Sequence, residues 1–435
     1  MREEFGRTDQ GHLKLGGCSA VELARTYGTP LYVLDGERLR TNLEAYREAF
    51  RRFVPAGRPY YASKALCTLG ICQLVHRYGF GLDVASGGEL HTALRAGVPP
   101  QDLCLHGNNK TPEELEMALE VGVGRIVVDN FHELDLLEEL TRRRNRPVEV
   151  WLRLTPGIEP HTHRAIQTGG VDTKFGFGIP EGAAERAVRR ALEIPGVRLR
   201  GFHSHIGSQI LELEPFVRNA QAAVAFAARM RTELGYTAEE LNLGGGLGIR
   251  YTAADRPPSI ADYVRTVAEA VRAACEEHGF PLPALFLEPG RSVVGPAGVT
   301  LYTVGTIKEI PGVRTYVAVD GGMYENPRPA LYGARYEAVV ADRPEDPPTR
   351  TVALAGRCCE SGDVLIWEAA LPEVRPGDTV AVFATGAYTY SMASNYNRFP
   401  RPAMVLVEGG IARLVVRRET YEDLVRCDLP LLPEE

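Results

Sequence analysis

Between Pro59 and Gly290, short apolar runs alternate with helix-periodic stretches, and this rhythm constrains the fold more than any other feature of the chain. The runs are PYYAS (59–63), FGLDVAS (80–86), LCLHG (103–107), RIVVDN (125–130), VEVWLRL (148–154), VRLRGFHSHIG (197–207), LNLGGG (241–246) and ALFLEPG (284–290). Between them lie GGELHTALRAG, TPEELEMALEVG, FHELDLLEELTRRR, IPEGAAERAVRRALEI and SIADYVRTVAEAVRAACEEHG, whose apolar residues recur at helical spacing. Eight strands alternating with helices over about 230 residues is the content of an α/β chain folded as a (β/α)8 TIM barrel.

Past Arg291 the texture changes. GVTLYTVGTIKEI, RTYVAVDGG, TRTVALAG, DTVAVFATGAY and PAMVLVEGGIARLVV are β-branched segments parted by Gly and Pro turns, and ADRPEDPPTR (341–350) reads as a loop among them. The expected organisation is a barrel over 36–290 and a second, mainly β domain built from 1–35 plus 291–435.

Composition excludes several classes. No apolar run approaches the roughly 20 residues a membrane helix needs, and the start, MREEFGRTDQGHLKLGG, has no apolar signal region, so a cytoplasmic protein without a membrane partner is expected. The net charge is -7, and TRRRNRP (141–147) reads as a solvated helix end, so nucleic acid is not an expected partner. None of the eight cysteines forms a C-x-x-C, which argues against a zinc site or a thioredoxin-like motif.

In a TIM barrel, chemistry belongs to the carboxyl ends of the strands. Those ends carry Lys64, Asp83, Ser86, His106, Asp129, Arg153, His205, Ser208, Gly244, Gly245, Gly246, Glu288 and Arg291. Each residue alone is as readily a cap or a turn residue, but together they form a convergent polar ring. Lysine is scarce: of Lys14, Lys64, Lys110, Lys174 and Lys308, only Lys64 ends a barrel strand. A partly desolvated amine there would favour the neutral, nucleophilic form that a Schiff base requires. Lys110 and Lys174 lie in polar loops, and Lys14 and Lys308 fall outside the barrel.

LNLGGGLG lacks the third small residue and the distal acid of a dinucleotide fingerprint, so it reads as bare backbone N–H groups cradling one phosphate. His203 and His205, two apart on a strand, point the same way, but nothing at suitable spacing completes a metal site and no metal is expected. A flat His205 against a planar cofactor, with Ser208 at its phosphate, is the better functional use, while His203 reads as a core histidine. Glu288 ends an apolar strand and needs a cationic or N–H partner, for which a protonated pyridine nitrogen would serve. Arg291 offers a fork suited to phosphate or carboxylate.

YYASKA, GLDVASGGEL, GGVDTKFGFG, HSHIGSQ, NLGGGLG, EPGRS, NPRPALYGA, CESGD and GAYTYSMASNYN, in this order along nearly the whole chain, resemble the fold type III pyridoxal-phosphate decarboxylases, and among them the diaminopimelate-decarboxylating branch. The resemblance implies an alanine racemase-like barrel plus β domain. It also implies pyridoxal 5'-phosphate bound through Lys64, with Asp83, His205, Ser208, Gly244 to Gly246, Glu288, Gly290, Arg291 and Tyr388 around it. It assigns Arg291, Arg328, Tyr332, Glu360 and Tyr388 to the substrate, and it makes Cys359 the proton donor and Cys358 packing. The implied reaction takes meso-2,6-diaminopimelate to L-lysine and CO2, in a homodimer whose CESGD loop completes the partner's site. The alternatives are a decarboxylase of ornithine, arginine or carboxynorspermidine on the same fold, an amino-acid racemase, or a non-catalytic pyridoxal-phosphate binder.

Overall fold

The computed structural model describes residues 5–158, 170 and 172–431, so Gly169 and Val171 of the GGVDTKFGFG motif lie outside the described residues. The chain forms two compact units: Met1–Arg40, Arg250–Asp255 and Val294–Glu435 make one, and Thr41–Ile249 with Arg256–Val293 make the other.

The second unit is a closed barrel of parallel strands: β1 (Gly57–Ala62), β2 (Gly81–Val84), β3 (Leu103–Leu105), β4 (Arg125–Val128), β5 (Val148–Thr155), β6 (Val197–Ser204), β7 (Glu240–Asn242) and β8 (Ala284–Leu287). β8 closes on β1 with Leu285 opposite Gly57. Except for β5, which runs one residue further, the strands are shorter at their carboxyl ends than the apolar runs suggest. Ser86, Thr111, Asn130 and Ser259 there cap the following helices, each side chain accepting a backbone N–H of the first turn. Ser86 is thus a cap, the plainer of its two readings.

Inside the barrel, Tyr60, Trp151 and Phe286 pack edge to face or tilted with ring centroids 5.2–5.9 Å apart. Tyr60 is therefore interior packing, and Tyr61, fully buried, donates its hydroxyl to Leu66 O at 2.9 Å. Below this layer Glu240 accepts from Trp151 Nε1 at 2.7 Å and from Arg125 Nε at 2.8 Å. A charge at the amino end of the strands is satisfied in this way, where conservation of the fold rather than chemistry is served.

The first unit is mainly β. Its principal sheet runs Val364–Leu371, Arg350–Ala355, Arg314–Val319, Gly298–Ile310, Leu31–Asp35, Ala403–Glu408 and Ile411–Val416. Leu31–Asp35 lies mid-sheet, antiparallel to Gly298–Leu301 and parallel to Ala403–Val407, which ties the amino-terminal strand to segments several hundred residues away in sequence. Leu15, Leu31, Val33, Val299, Leu301, Phe383 and Val405 form its core. Among the described residues, no helix is long and apolar enough to cross a membrane.

Candidate active site at the barrel mouth

β1 ends in a single 3-10 turn, Ser63–Ala65, in which Ser63 and Ala65 are buried and Lys64 is exposed. The strand-end position predicts a partly desolvated amine, and the turn leaves Lys64 more exposed than the residues beside it. The charge of Lys64 still reaches the strand ends, where it lowers the pKa of both Asp83 and His205. Lys110 is the opposite case. It is buried, not a solvated loop lysine, and its ammonium donates to Gly107 O at 2.8 Å, Val127 O at 2.6 Å and Glu133 Oε1 at 2.7 Å. All three of its donors are used, which makes it a structural charge with no amine to spare.

Glu288, one residue past β8, is 6% exposed. Burial alone would raise its pKa, but the charges and hydrogen bonds of His106 and His203 outweigh that and hold the carboxyl well below the ordinary range. Its partners arrive from β6, β7 and the residue just past β3: His203 Nε2 at 3.1 Å, Asn242 Nδ2, which donates at 2.7 Å, and His106 Nε2 at 2.9 Å. His203 is buried, and its ring meets that of His106 edge to face at 4.9 Å. These two imidazoles and Glu288 bring ligand atoms within 4.8 Å of one another, and their geometry is that of a hydrogen-bonded cluster.

Asp83, at the end of β2, is buried, which pushes its carboxyl up to about 6, opposed by His106 and Lys64 and helped by Glu288. His205 Nδ1 accepts from Gly245 N at 3.3 Å, so its proton sits on Nε2 and the ring is neutral. Burial first, then Lys64 and Arg153, keep its pKa well below the usual imidazole value. Arg153 stands 3.7 Å from Asp129 and 4.2 Å above the Phe175 ring.

Gly244 to Gly246 follow β7 as bare backbone because no side chain fits. A Cβ on Gly245 would lie 2.0 Å from Glu288 O, and one on Gly246 would lie 2.6 Å from Gly207 O. Arg291 belongs to the barrel unit and donates from Nη2 to Ser208 Oγ at 2.9 Å, so two expected cofactor residues are already joined. Gly290 packs with its would-be Cβ 3.0 Å from Ala62, which brings β1 and β8 together beside Lys64.

In the β unit, Arg328 opens a short helix, Arg328–Tyr332, that ends at the left-handed Gly333. The Arg328 guanidinium is buried 4.7 Å above the Tyr251 ring and donates to the Tyr336 hydroxyl. Tyr332 is half-buried. Cys359 and Glu360 are exposed on a loop whose brace is Asp363, a buried carboxylate accepting from Cys358 N at 2.7 Å and Met323 N at 2.6 Å. Cys359 N donates to Asn397 Oδ1 at 2.7 Å. Burial pushes the Cys358 thiol up to about 12, as suits a packing residue. Tyr388 is half-buried with φ 58°, a left-handed backbone that a non-glycine residue adopts only when its surroundings impose it.

Residues 38–295 match the family model described as "Pyridoxal-dependent decarboxylase, pyridoxal binding domain". Diaminopimelate decarboxylase of Bacillus subtilis (strain 168) is 51% identical over 424 residues, 98% of this chain and 97% of the relative. The chain belongs to the diaminopimelate decarboxylase family. A crystal structure of the M. jannaschii member in co-complex with L-lysine is 37% identical, with a TM-score of 0.90 over 98% of each chain. Lysine/ornithine decarboxylase from Vibrio vulnificus, at 24% identity, TM-score 0.76 and coverage of 90% and 99%, shares the fold.

The site suits the group that the family name implies. Glycine N–H groups that no side chain shields, beside Arg291 and Ser208, match a phosphate, and a buried ionised carboxylate matches a protonated ring nitrogen. Two features of this family site escape a reading of the sequence. Asn242 sits inside the apolar-looking LNL run, and Asp363 looks like one more loop acid in CESGD. The alternation of LNL does signal the first, since an asparagine inside a barrel strand must find a partner.

Proposed function

We propose that the protein decarboxylates meso-2,6-diaminopimelate to L-lysine with pyridoxal 5'-phosphate held at the barrel mouth. The observation that carries this reading is Glu288, at the end of an apolar strand, buried, ionised and ringed by donors from β6, β7 and the residue just past β3. Bound pyridoxal phosphate supplies an electron sink for the pair released as CO2 leaves. Lys64 is the attachment point, because it is the strand-end amine that Lys110, fully paired, cannot replace. Glu288 would pair with the ring nitrogen and favour its protonated form, and the neutral His205 would stack on the ring. Ser208, Gly244 to Gly246, Gly290 and Arg291 take the phosphate, and Asp83 closes the ring side. Arg328 and Tyr332 would hold the distal carboxylate, where a planar guanidinium gives a two-point grip, and Arg291 and Tyr388 would serve both cofactor and substrate. Glu360 takes the distal ammonium, and Cys359 Sγ holds the proton that the α-carbon receives.

The exposure of Cys359 and Glu360 supports a homodimer in which each CESGD loop serves the other copy's site. Eight free thiols suit a reducing, cytoplasmic setting. The test is a substrate panel read by CO2 release and chiral analysis of the product. L-Lysine from meso-diaminopimelate, with ornithine and arginine slower by about a hundredfold or more, is expected, because a lost charge-assisted contact costs about 1.5–3 kcal/mol and two are missing. Fast CO2 release from ornithine with none from diaminopimelate, or interconversion of stereoisomers without CO2, would sink the proposal.

A further inference from the structure

Glu288 accepts three hydrogen bonds from the protein: His106 Nε2 and Asn242 Nδ2 on Oε1, and His203 Nε2 on Oε2. An ionised carboxylate offers about four lone-pair sites. Three are taken, and one remains. A carboxylate only accepts, so both imidazoles must present an N–H to it. The rings stand at 76° to each other and contact different oxygens, so together they hold both sides of the carboxylate. His203 Nδ1, wholly buried, has no hydrogen-bond partner, so no second contact competes for the orientation of that ring.

We propose that His106 and His203 are positioning residues that clamp the Glu288 carboxylate from two sides, leaving one acceptor position for the ring nitrogen of the cofactor. This deepens the functional reading above and rests on it. The two histidines divide the task. His203 is neutral, its pKa lowered to about 4 by burial despite Glu288. His106 is charged: burial would lower its pKa, but Asp83 and Glu288 raise it well above the ordinary value. One ring therefore contributes charge and the other direction, while Asn242 adds a neutral donor. The other charged or titratable groups facing the cluster are Asp83 on β2, Cys104 on β3, Arg153 on β5, His205 just past β6, Lys64 just past β1 and Tyr263 on the helix Ile260–Glu277. His106 and His203 both bring a ring nitrogen within 3.1 Å of the Glu288 carboxylate, which separates the clamp from general electrostatic surroundings.

The experiment uses full-length protein stripped of cofactor and then titrated with pyridoxal phosphate, with histidine NMR of the stripped form across pH. His106→Asn is expected to weaken pyridoxal phosphate binding about tenfold or more, and His203→Ala similarly. His203→Gln, which keeps a donor, should recover most of the loss. In a Glu288→Gln background the His106 substitution should have little further effect, the signature of coupled neighbours. In the stripped protein His106 should titrate above the usual value of about 6.5 and fall back toward it in Glu288→Gln. Thermal melts identify any variant that fails to fold, and for such a variant the NMR of Glu288→Gln decides. Additive effects, or a His106 that titrates normally with and without Glu288, overturn the clamp. If pyridoxal phosphate does not bind at all, the functional reading fails, while the NMR coupling still decides the clamp on its own.

Discussion

At the scale of single residues, the decisive contrast is between two lysines. Lys110 is buried with three acceptors around its ammonium, whereas Lys64 is exposed on a tight turn within electrostatic reach of Asp83 and His205. The residue proposed to move a proton, Cys359, is exposed on a braced loop. Cys359→Ala should lower kcat by about 10²–10⁴, the range for losing a positioned general acid, with KM and the cofactor's visible absorbance nearly unchanged. A large rise in KM with kcat intact would instead make Cys359 a binding residue. The identities of Lys64 and Glu288 were legible in the sequence because a charge at the end of an apolar strand is conspicuous. The partners of Glu288 were not, because His203 on β6, Asn242 on β7 and His106 just past β3 are brought together only by the closed barrel.

At the scale of elements, the eight strands and most of the helices between them were legible, because both periodicities are strong and Ser, Thr and Asn mark the helix starts. Strand ends are less legible, since nothing in LNLGGG or ALFLEPG marks that the ladder stops at Asn242 and Leu287. Hydropathy does not register the loss of ladder hydrogen bonds. The exposure of Lys64 is likewise not legible, because it depends on the 3-10 turn that follows the strand. The glycine turn after β7 is a rigid geometric demand. Gly245→Ala would place a methyl 2.0 Å from Glu288 O and push β7 from β8 at the point where both support the site. It is expected to lower the melting temperature by several degrees, as about 1–3 kcal/mol of overpacking would, and to weaken pyridoxal phosphate binding at least tenfold. Wild-type melting and affinity in this variant would contradict the cradle.

At the scale of the whole molecule, two behaviours follow. Glu325 in the β unit is fully buried, which pushes its carboxyl up to about 8, against a hydrogen bond from Tyr302. A group whose pKa is higher folded than unfolded stabilises the fold below its unfolded pKa of about 4.3 and loses that contribution as pH rises through its folded value. The melting temperature of the native protein should therefore fall from pH 6 to pH 9 more steeply than that of Glu325→Gln, and parallel curves would show that Glu325 does not titrate in this way. The second behaviour concerns assembly. If each site borrows Cys359 from the other copy, mixing inactive Lys64→Ala and Cys359→Ala proteins under subunit exchange should restore about a quarter of native activity, since half the dimers carry one intact site. No recovery from a mixture shown to exchange would place both residues of a site on one chain.

Lys64 is proposed to carry the cofactor at the mouth of the barrel. Borohydride reduction of the pyridoxal-phosphate-loaded protein, followed by peptide mass mapping, fixes the cofactor to its lysine. Label is expected on the YYASKALC segment at Lys64, with none in Lys64→Ala, whereas label on Lys110, or an unchanged yield of label in the variant, would refute Lys64 as the attachment point.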